Sequence, residues 1–432
     1  MHVSITAYSK NNKQFYFINQ TLGVLIKKVL KFLAIATLIL IILTGITIYT
    51  FFNNFKKLET VEIIENFTKD TIPFVYTDLG HISINVKMQG SKKDFPFIID
   101  SGAASMIFKN HSSEFNLKTK SIGLGRGTTG SYFISKIKKV DSIQIQSLVF
   151  KKFYVKEVDH GFECMEDIYG VIGIGLMHHL NWQIDFQNKV IIVTRNIKDL
   201  QLGENKIEID LTENEYSHHL YIPISLLSSP FTFNLTLDTG SPGSFIIDEH
   251  EILENNFKVN SKKINGTRAG GLGDSDYSPS NLKFYLIDSL FLQFDYQLKR
   301  VPVVAGPNNV NLLGLSFLKN YKTTINWPAQ QLILEPYEIE QNFIRKVFGF
   351  DIIYDENLKK FLIYSITENT PATKNELPLN SEIISINGIN SVDKTSLCEF
   401  KKIIMAKDTI NISLKVDNVI KDYILIKEAL FY

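Results

Sequence analysis

The sequence predicts a mainly β protein made of two related lobes, carried on one N-terminal membrane helix and followed by a small α+β domain. Three observations predict it. One uncharged apolar run near the N-terminus is long enough to cross a bilayer, and two sequence blocks recur in the same order at nearly equal spacing. Beyond residue 342 the pattern changes, with short strands interrupted by one amphipathic stretch. At about 100–200 residues per domain, a chain of 432 residues has room for several. A balance of 46 Lys+Arg against 45 Asp+Glu lacks the cationic excess of a nucleic-acid-binding protein. The 31 Phe and 18 Tyr exclude a disordered chain. Cys164 and Cys398 are too few for a disulfide scaffold or a cysteine-built zinc cluster and leave the redox compartment open.

Residues 32–52, FLAIATLILIILTGITIYTFF, contain no charge. About 20 such residues, rising 1.5 Å each, cross the roughly 30 Å hydrocarbon core. A cleaved signal peptide has a shorter apolar region ending in small residues. This run instead meets Tyr49, Phe51, Phe52 and Phe55, which predicts an uncleaved anchor. Lys10, Lys13, Lys27, Lys28 and Lys31 precede it without an acid, whereas Lys56, Lys57 and Lys69 are balanced by Glu59, Glu62, Glu65 and Asp70. That bias keeps residues 1–31 in the cytoplasm and sends the rest outward, to the periplasm if the cell is bacterial.

After the anchor, β-branched and aromatic runs alternate with Gly, Asn, Ser and Lys, as strands do. Laying the chain on itself reveals the repeat. GHISINVKMQGSKKDFPFIIDSGAASMIF (80–108) aligns with HHLYIPISLLSSPFTFNLTLDTGSPGSFII (218–247), and His81 and His219 each stand 19 residues before Asp100 and Asp238. Downstream, VIGIGLMHHLNWQIDFQNKVIIV (171–193) matches LLGLSFLKNYKTTINWPAQQLIL (312–334), 73 residues from Asp100 to Gly173 and 76 from Asp238 to Gly314. Two copies of one β-rich lobe result, at 70–197 and 206–337, with a polar boundary near 196–205.

Asp-Ser/Thr-Gly by itself is a turn. Here each Asp ends an apolar strand (FPFIID, FNLTLD) and precedes another apolar run. A carboxylate delivered there is costly unless it is hydrogen-bonded or shares a proton. Gly102 and Gly240 let backbone N–H groups approach, and Ser101 and Thr239 supply hydroxyls to lock the turns. If a pseudo-twofold relates the lobes, Asp100 and Asp238 meet at its axis. Two such carboxyls share a proton and can perform general acid–base hydrolysis of an amide.

With IIDSGAAS (98–105) and VIG (171–173), and LTLDTGSPGS (235–244) and LLG (312–314), the chain resembles the retropepsin-like aspartic peptidases of bacteria over about residues 70–336. The resemblance implies a bilobal β-barrel fold with Asp100 and Asp238 catalytic and Ser101 and Thr239 tying the turns together. It also implies an apolar-apolar-Gly block behind each turn and a glycine-bearing flap, for which 123–133 and 268–277 are candidates. The first turn departs from the second: it is one residue shorter and carries Ala103 where the second has Ser241. Fewer hydroxyls near Asp100 leave its ionised form less stabilised, which favours activity toward mildly acidic or neutral pH.

Residues 343–432 resemble a PDZ domain. The resemblance rests on Phe348-Gly349-Phe350, like a carboxylate-binding loop, and on the run from Thr370 through Glu382-Ile383-Ile384-Ser385-Ile386-Asn387-Gly388, with Asn380-Ser381 where Gly-Asp is usual. It implies that a peptide adds as a strand, its terminal carboxylate held by the loop and the helix near 397–407 forming the far wall.

Other constellations are weaker. His178-His179 and His218-His219 lack a metal-binding motif, and adjacent strand residues point to opposite faces. Cys164 has no orienting group beyond nearby His160 and Glu163 and reads as a packed or surface thiol. The Gly123-x-Gly125-x-Gly127 run lacks the context and Lys of a phosphate loop. The expected protein is therefore a membrane-anchored aspartic endopeptidase with no metal or organic cofactor. Its partners are an extended peptide between the lobes, a chain terminus at the C-terminal domain, and the membrane through residues 32–52. The rival expectation is a non-catalytic peptide-binding scaffold that keeps the fold. A relic of that kind need not bring its carboxyls within hydrogen-bonding reach.

Overall fold

The computed structural model describes residues 27–50, 52–53 and 61–432, apart from 65, 128–131, 160–163, 227–231, 254–258, 269–277, 280, 294–295, 308, 339–341 and 394. It forms two compact units, Met1–Phe55 and Lys56–Tyr432. Among the described residues, the first contains the helix Lys27–Thr50, of 24 residues, long and apolar enough to cross a membrane. Among the described residues it takes in Lys27, Lys28 and Lys31 as well as the apolar run, since Lys is a good helix former whatever its polarity. Thr37, Thr44, Thr47 and Thr50 each donate their hydroxyl to the carbonyl four residues back, at 2.8–2.9 Å. These hydroxyls are thereby satisfied within the helix.

The second unit is mainly β. In the first repeat, strands Ile82–Met88 and Phe95–Ile99 form an antiparallel hairpin that pairs Ser83 with Ile98 and Val86 with Phe95. The chain passes through the Asp100 turn into strand Met106–Phe108 and then into a meander, Lys118–Arg126, Tyr132–Ile145 and Leu148–Val158. Strand Gly170–Ile172 returns between the two arms of the turn, parallel to Phe95–Ile99 and antiparallel to Met106–Phe108. The second repeat lays down the same pattern. Leu220–Leu226 pairs with Thr232–Asp238, and Leu312–Gly314 inserts parallel to Thr232–Asp238 and antiparallel to Phe245–Asp248. The apolar-apolar-Gly blocks thus fall on three-residue buried strands, Gly170–Ile172 with Gly173 just beyond it and Leu312–Gly314, each followed by a helical turn, Ile174–Met177 or Leu315–Leu318.

A six-stranded antiparallel sheet joins the repeats. Its central strands, Asn181–Asp185 and Tyr321–Asn326, run edge to edge, with Asn181 opposite Asn326 and Ile184 opposite Thr323. Val190–Thr194 and Gln331–Pro336 flank them, and Lys69–Pro73 and Ile207–Asp210 close the outer edges. At the seam, buried Gln183 donates to Thr324 Oγ1 at 3.1 Å. Trp182 and Trp327, both fully buried, belong to one hydrophobic core that runs through both repeats.

From Lys346 onward the chain has its own core, centred on Phe361, Ile363, Ile383, Phe400, Ile412 and Leu425. Strands Phe350–Asp355, Lys360–Thr367, Glu382–Ile386, Thr409–Val416 and Val419–Ile426 form a sheet, with helices Pro371–Lys374 and Ser396–Ala406. A capping box, Thr370 with Thr373, opens the first helix, and Pro371 at its first position suits that start. Asn387 and Gly388 at φ 50° and 80° make the tight turn between Glu382–Ile386 and Ile389–Asn390.

This C-terminal region is stitched to both repeats. Strand Asn260–Arg268 pairs with Lys283–Leu292 through residues 260–263 and with Lys360–Thr367 through Ile264, Asn265 and Gly266. To the first repeat the tie is covalent: Cys164 and Cys398 form a disulfide with Cα atoms 5.2 Å apart. The expectation of an isolated packed or surface thiol at Cys164 is thereby corrected. A sequence separation of 234 residues held no hint of the pairing.

Candidate active site

Asp238 is the last residue of strand Thr232–Asp238, and Asp100 follows Phe95–Ile99 directly, so each apolar strand delivers its carboxyl to the junction of the repeats. There the two carboxyls hydrogen-bond each other. Both residues are buried. Glycine is required beside them for lack of space: a Cβ on Gly240 would lie 2.1 Å from Asp100 Oδ2, and one on Gly102 would lie 2.6 Å from Asp238 Cγ.

The turns are locked across the junction by four hydrogen bonds. Ser101 N–H donates to Thr239 Oγ1 at 2.9 Å and Thr239 N–H to Ser101 Oγ at 3.0 Å. The hydroxyls pass the bonds on, Ser101 to Leu237 O at 2.8 Å and Thr239 to Ile99 O at 3.2 Å. Behind each turn the start of the helical turn that follows the inserted strand holds the backbone: Ile174 N–H donates to Ala103 O and Leu315 N–H to Ser241 O, both at 2.8 Å.

The two carboxyls differ. Asp238 Oδ1 accepts from Gly240 N–H at 2.8 Å and Ser241 N–H at 2.9 Å. Asp100 Oδ1 accepts from Gly102 N–H at 2.8 Å. Burial pushes both above the ordinary carboxylate value, and the Asp238 charge pushes Asp100 further, well above it, while Gly102 and Ala103 N–H groups oppose the rise. The two carboxyls therefore share a proton, and the pair of N–H groups on Asp238 Oδ1 favours the ionised form of Asp238.

Around the turns, Phe133 of strand Tyr132–Ile145 packs with Ala103 onto a small apolar cluster that includes Ile98, Met106, Phe108 and Met165. Buried Lys156, lowered to about 8 by desolvation, reaches Leu124 O at 3.2 Å. Of the two flap candidates, 123–133 lies on the hairpin Lys118–Arg126/Tyr132–Ile145, with 128–131 outside the described residues. Of 268–277, only Arg268 is described, at the end of strand Asn260–Arg268.

The histidine pairs do not sit on strands, which corrects the expectation of opposite faces. His178 caps the helix Ile174–Met177, and His218 lies in a turn at φ 54°. The His178 and His218 rings stack 4.4 Å apart, and the His178 and His179 rings are 3.6 Å apart. Among the described residues, no group of three or more His, Cys, Asp or Glu could hold a metal ion. His219 turns inward: its Nε2 lies 2.9 Å from Gly102 O. The matched 19-residue spacing of His81 and His219 pointed at these positions without revealing what they touch.

Phe348 and Phe350 are buried in the C-terminal core. Gly349 packs against Thr370, and its carbonyl accepts from Thr367 N–H at 2.8 Å. The strand Phe350–Asp355 pairs only with Lys360–Thr367 among the described strands, and the helix Ser396–Ala406 lies beside it.

No family model and no curated protein matches the chain. A likeness to the crystal structure of conglutin gamma, a basic 7S globulin from lupine seeds, covers 62% of this chain and 95% of that one. At 10% identity and a TM-score of 0.39, the likeness is too distant to bear on function.

Proposed function

We propose that the protein is a membrane-anchored aspartic endopeptidase of the bilobal, retropepsin-like kind, with the two repeats as its lobes and residues 343–432 as a PDZ-like domain that binds peptide or controls access. One observation carries the reading: the Asp100 and Asp238 carboxyls are buried and hydrogen-bonded to each other at the junction of the repeats. A silent scaffold has no reason to bear the cost of two facing buried acids.

The chemistry rests on the asymmetry of the pair. Ionised Asp238 takes a proton from water as the water oxygen attacks the scissile carbonyl carbon, while Asp100 gives its proton to the carbonyl oxygen. The tetrahedral intermediate then returns a hydroxyl proton to Asp100. The C–N bond breaks as the leaving nitrogen takes the proton held by Asp238. The two N–H donors on Asp238 favour its starting charge, and the raised pKa of Asp100 keeps its proton in place toward neutral pH.

The lysine bias before the helix favours a cytoplasmic N-terminus, and the Cys164–Cys398 disulfide favours an oxidising compartment for the body. In the test, the full chain in detergent micelles is incubated with a diverse peptide mixture between pH 4 and 8 and its products are read by mass spectrometry. Cleavage by the parent that falls at least about a thousandfold in both Asp100→Asn and Asp238→Asn is the expected result. Cleavage that survives either change refutes the dyad, and no cleavage by the parent moves the reading to the scaffold.

A further inference from the structure

His219 stands outside the dyad and its turns, yet it belongs to the second repeat and holds the turn of the first. Resting on the peptidase reading, we propose that His219 is a positioning residue, which sets the Gly102–Ala103 peptide so that its N–H faces Asp100.

The geometry runs through one peptide plane. A backbone carbonyl only accepts, so the 2.9 Å contact between His219 Nε2 and Gly102 O requires Nε2 to carry the hydrogen. The other ring nitrogen, Nδ1, lies 2.8 Å from Ser217 Oγ, which holds the ring from behind. In a trans peptide the carbonyl and the following N–H point in opposite directions. Anchoring Gly102 O on His219 therefore aims the Ala103 N–H the other way, toward the Asp100 carboxyl, on which it acts. The matching N–H in the second repeat, from Ser241, donates to Asp238 at 2.9 Å. The first turn is one residue shorter and lacks the Ser241 hydroxyl, so its N–H needs an outside anchor.

The surroundings keep the ring neutral. Burial lowers the affinity of His219 for a proton, the bond to Gly102 O works against that, and Lys156 and His218 lower it again, so the net direction is downward. Lys156 comes from the strand Leu148–Val158. His218 is paired with Glu213 and stacked on His178, which burial and His179 hold down at about 4. A neutral ring with its hydrogen on Nε2 is the form that anchors the carbonyl.

The test compares the full chain with His219→Leu, which removes the donor, and His219→Gln, whose amide keeps a donor near the Nε2 position and cannot titrate. Cleavage rates are measured across pH, and the Asp100 carboxyl is titrated by carbon-13 NMR of aspartate-labelled protein. Leu is expected to lower kcat about ten- to a hundredfold with little change in KM. It should also move the alkaline limb of the rate profile and the Asp100 titration to higher pH, and Gln should restore both. A Leu variant with unchanged kcat and titration overturns the proposal. So does a Gln variant that behaves like Leu, since the ring's charge rather than its hydrogen bond would then be responsible. If Leu does not melt cooperatively, Ser217→Ala takes its place, with a smaller shift in the same direction expected and none refuting. If the parent cleaves no peptide, the peptidase reading fails, and the carboxyl titration alone decides the role of His219.

Discussion

The two repeats carry corresponding strands but end them differently. In the first, strand Lys118–Arg126 pairs with Tyr132–Ile145 alone among the described strands, and Ile122, Tyr132 and Ile134 of this hairpin stand exposed. In the second, strand Asn260–Arg268 leaves its own repeat at Ile264 and continues into the C-terminal sheet. Duplicated chain thus produced one hairpin with an open edge and one whose edge is already used. An edge strand is the natural place for an extended peptide to add, so on the peptidase reading substrate belongs to the first hairpin and support to the second.

Cutting the ties to the C-terminal region breaks this comparison most strongly. Cys398→Ser opens a covalent loop that spans 234 residues and is expected to cost about 5 kcal/mol, through the freedom returned to the unfolded chain. Thermal melting measures the loss. Hydrogen exchange should speed up around Cys164 and helix Ser396–Ala406 while Ile264–Gly266 stays protected; uniform exchange across both would show that the two ties are not separate.

Adding one carbon to each active-site turn compares the turns directly. Gly240→Ala and Gly102→Ala each drive a methyl into the opposite carboxyl and should lower cleavage about a hundredfold or more, at roughly 1–3 kcal/mol of stability. Gly240→Ala is the worse of the two, because its Cβ meets the carboxyl oxygen of Asp100 at 2.1 Å. Initial rates and melting temperatures of the pair test the order.

The seam itself is sharpened by Gly266→Ala. Gly266 sits at φ +118°, where a side chain is strained, and a Cβ would meet Tyr364 O at 2.1 Å. A cost of about 1–3 kcal/mol is expected. Faster exchange should appear at Ile264–Gly266 and Ser365–Thr367 and leave the first hairpin unchanged.

The smallest effect is on pH dependence. Burial and Lys319 lower His81 from 6.5 to about 4, so the unfolded chain takes up this proton first. The stability it contributes is complete above about pH 6.5 and is lost as pH falls toward 4. Asp100 acts in the opposite sense, since its raised pKa gives stability that declines as pH rises from about 4 through its folded value. Asp100→Asn should therefore stabilise the fold at neutral pH while abolishing cleavage, and His81→Gln should flatten the acid side of a melting-temperature profile.

The residues legible in the sequence were those whose meaning is local. Asp100 and Asp238 stood out because each follows an apolar strand and precedes a glycine. Ser101 and Thr239 were expected to lock the turns, and their hydroxyls do cross between the repeats. The shorter first turn, with Ala103 in place of Ser241, goes with an N–H from Gly102 on Asp100 Oδ1 against N–H groups from both Gly240 and Ser241 on Asp238 Oδ1. By contrast, nothing near Cys164 pointed to Cys398. The histidine pairs were expected on strands, whereas a helical turn and a left-handed residue place them. The continuation of strand Asn260–Arg268 into the C-terminal sheet was not expected either, since backbone hydrogen bonds to a distant strand leave no side-chain signature.

The sequence by itself determined the apolar helix, the duplication, the strand-turn-strand frame of each repeat and the two acids at its centre. These depend on alternation, turn residues and spacing within a few tens of positions, and such preferences act along the chain. Only the tertiary structure decided that the acids share a hydrogen bond, that His219 holds the opposite turn, and that the C-terminal region is bound to one repeat by a disulfide and to the other by a sheet. Contacts between residues more than a hundred positions apart form because packing the shared core brings them together, and burying that core leaves little trace in the order of the residues that make them.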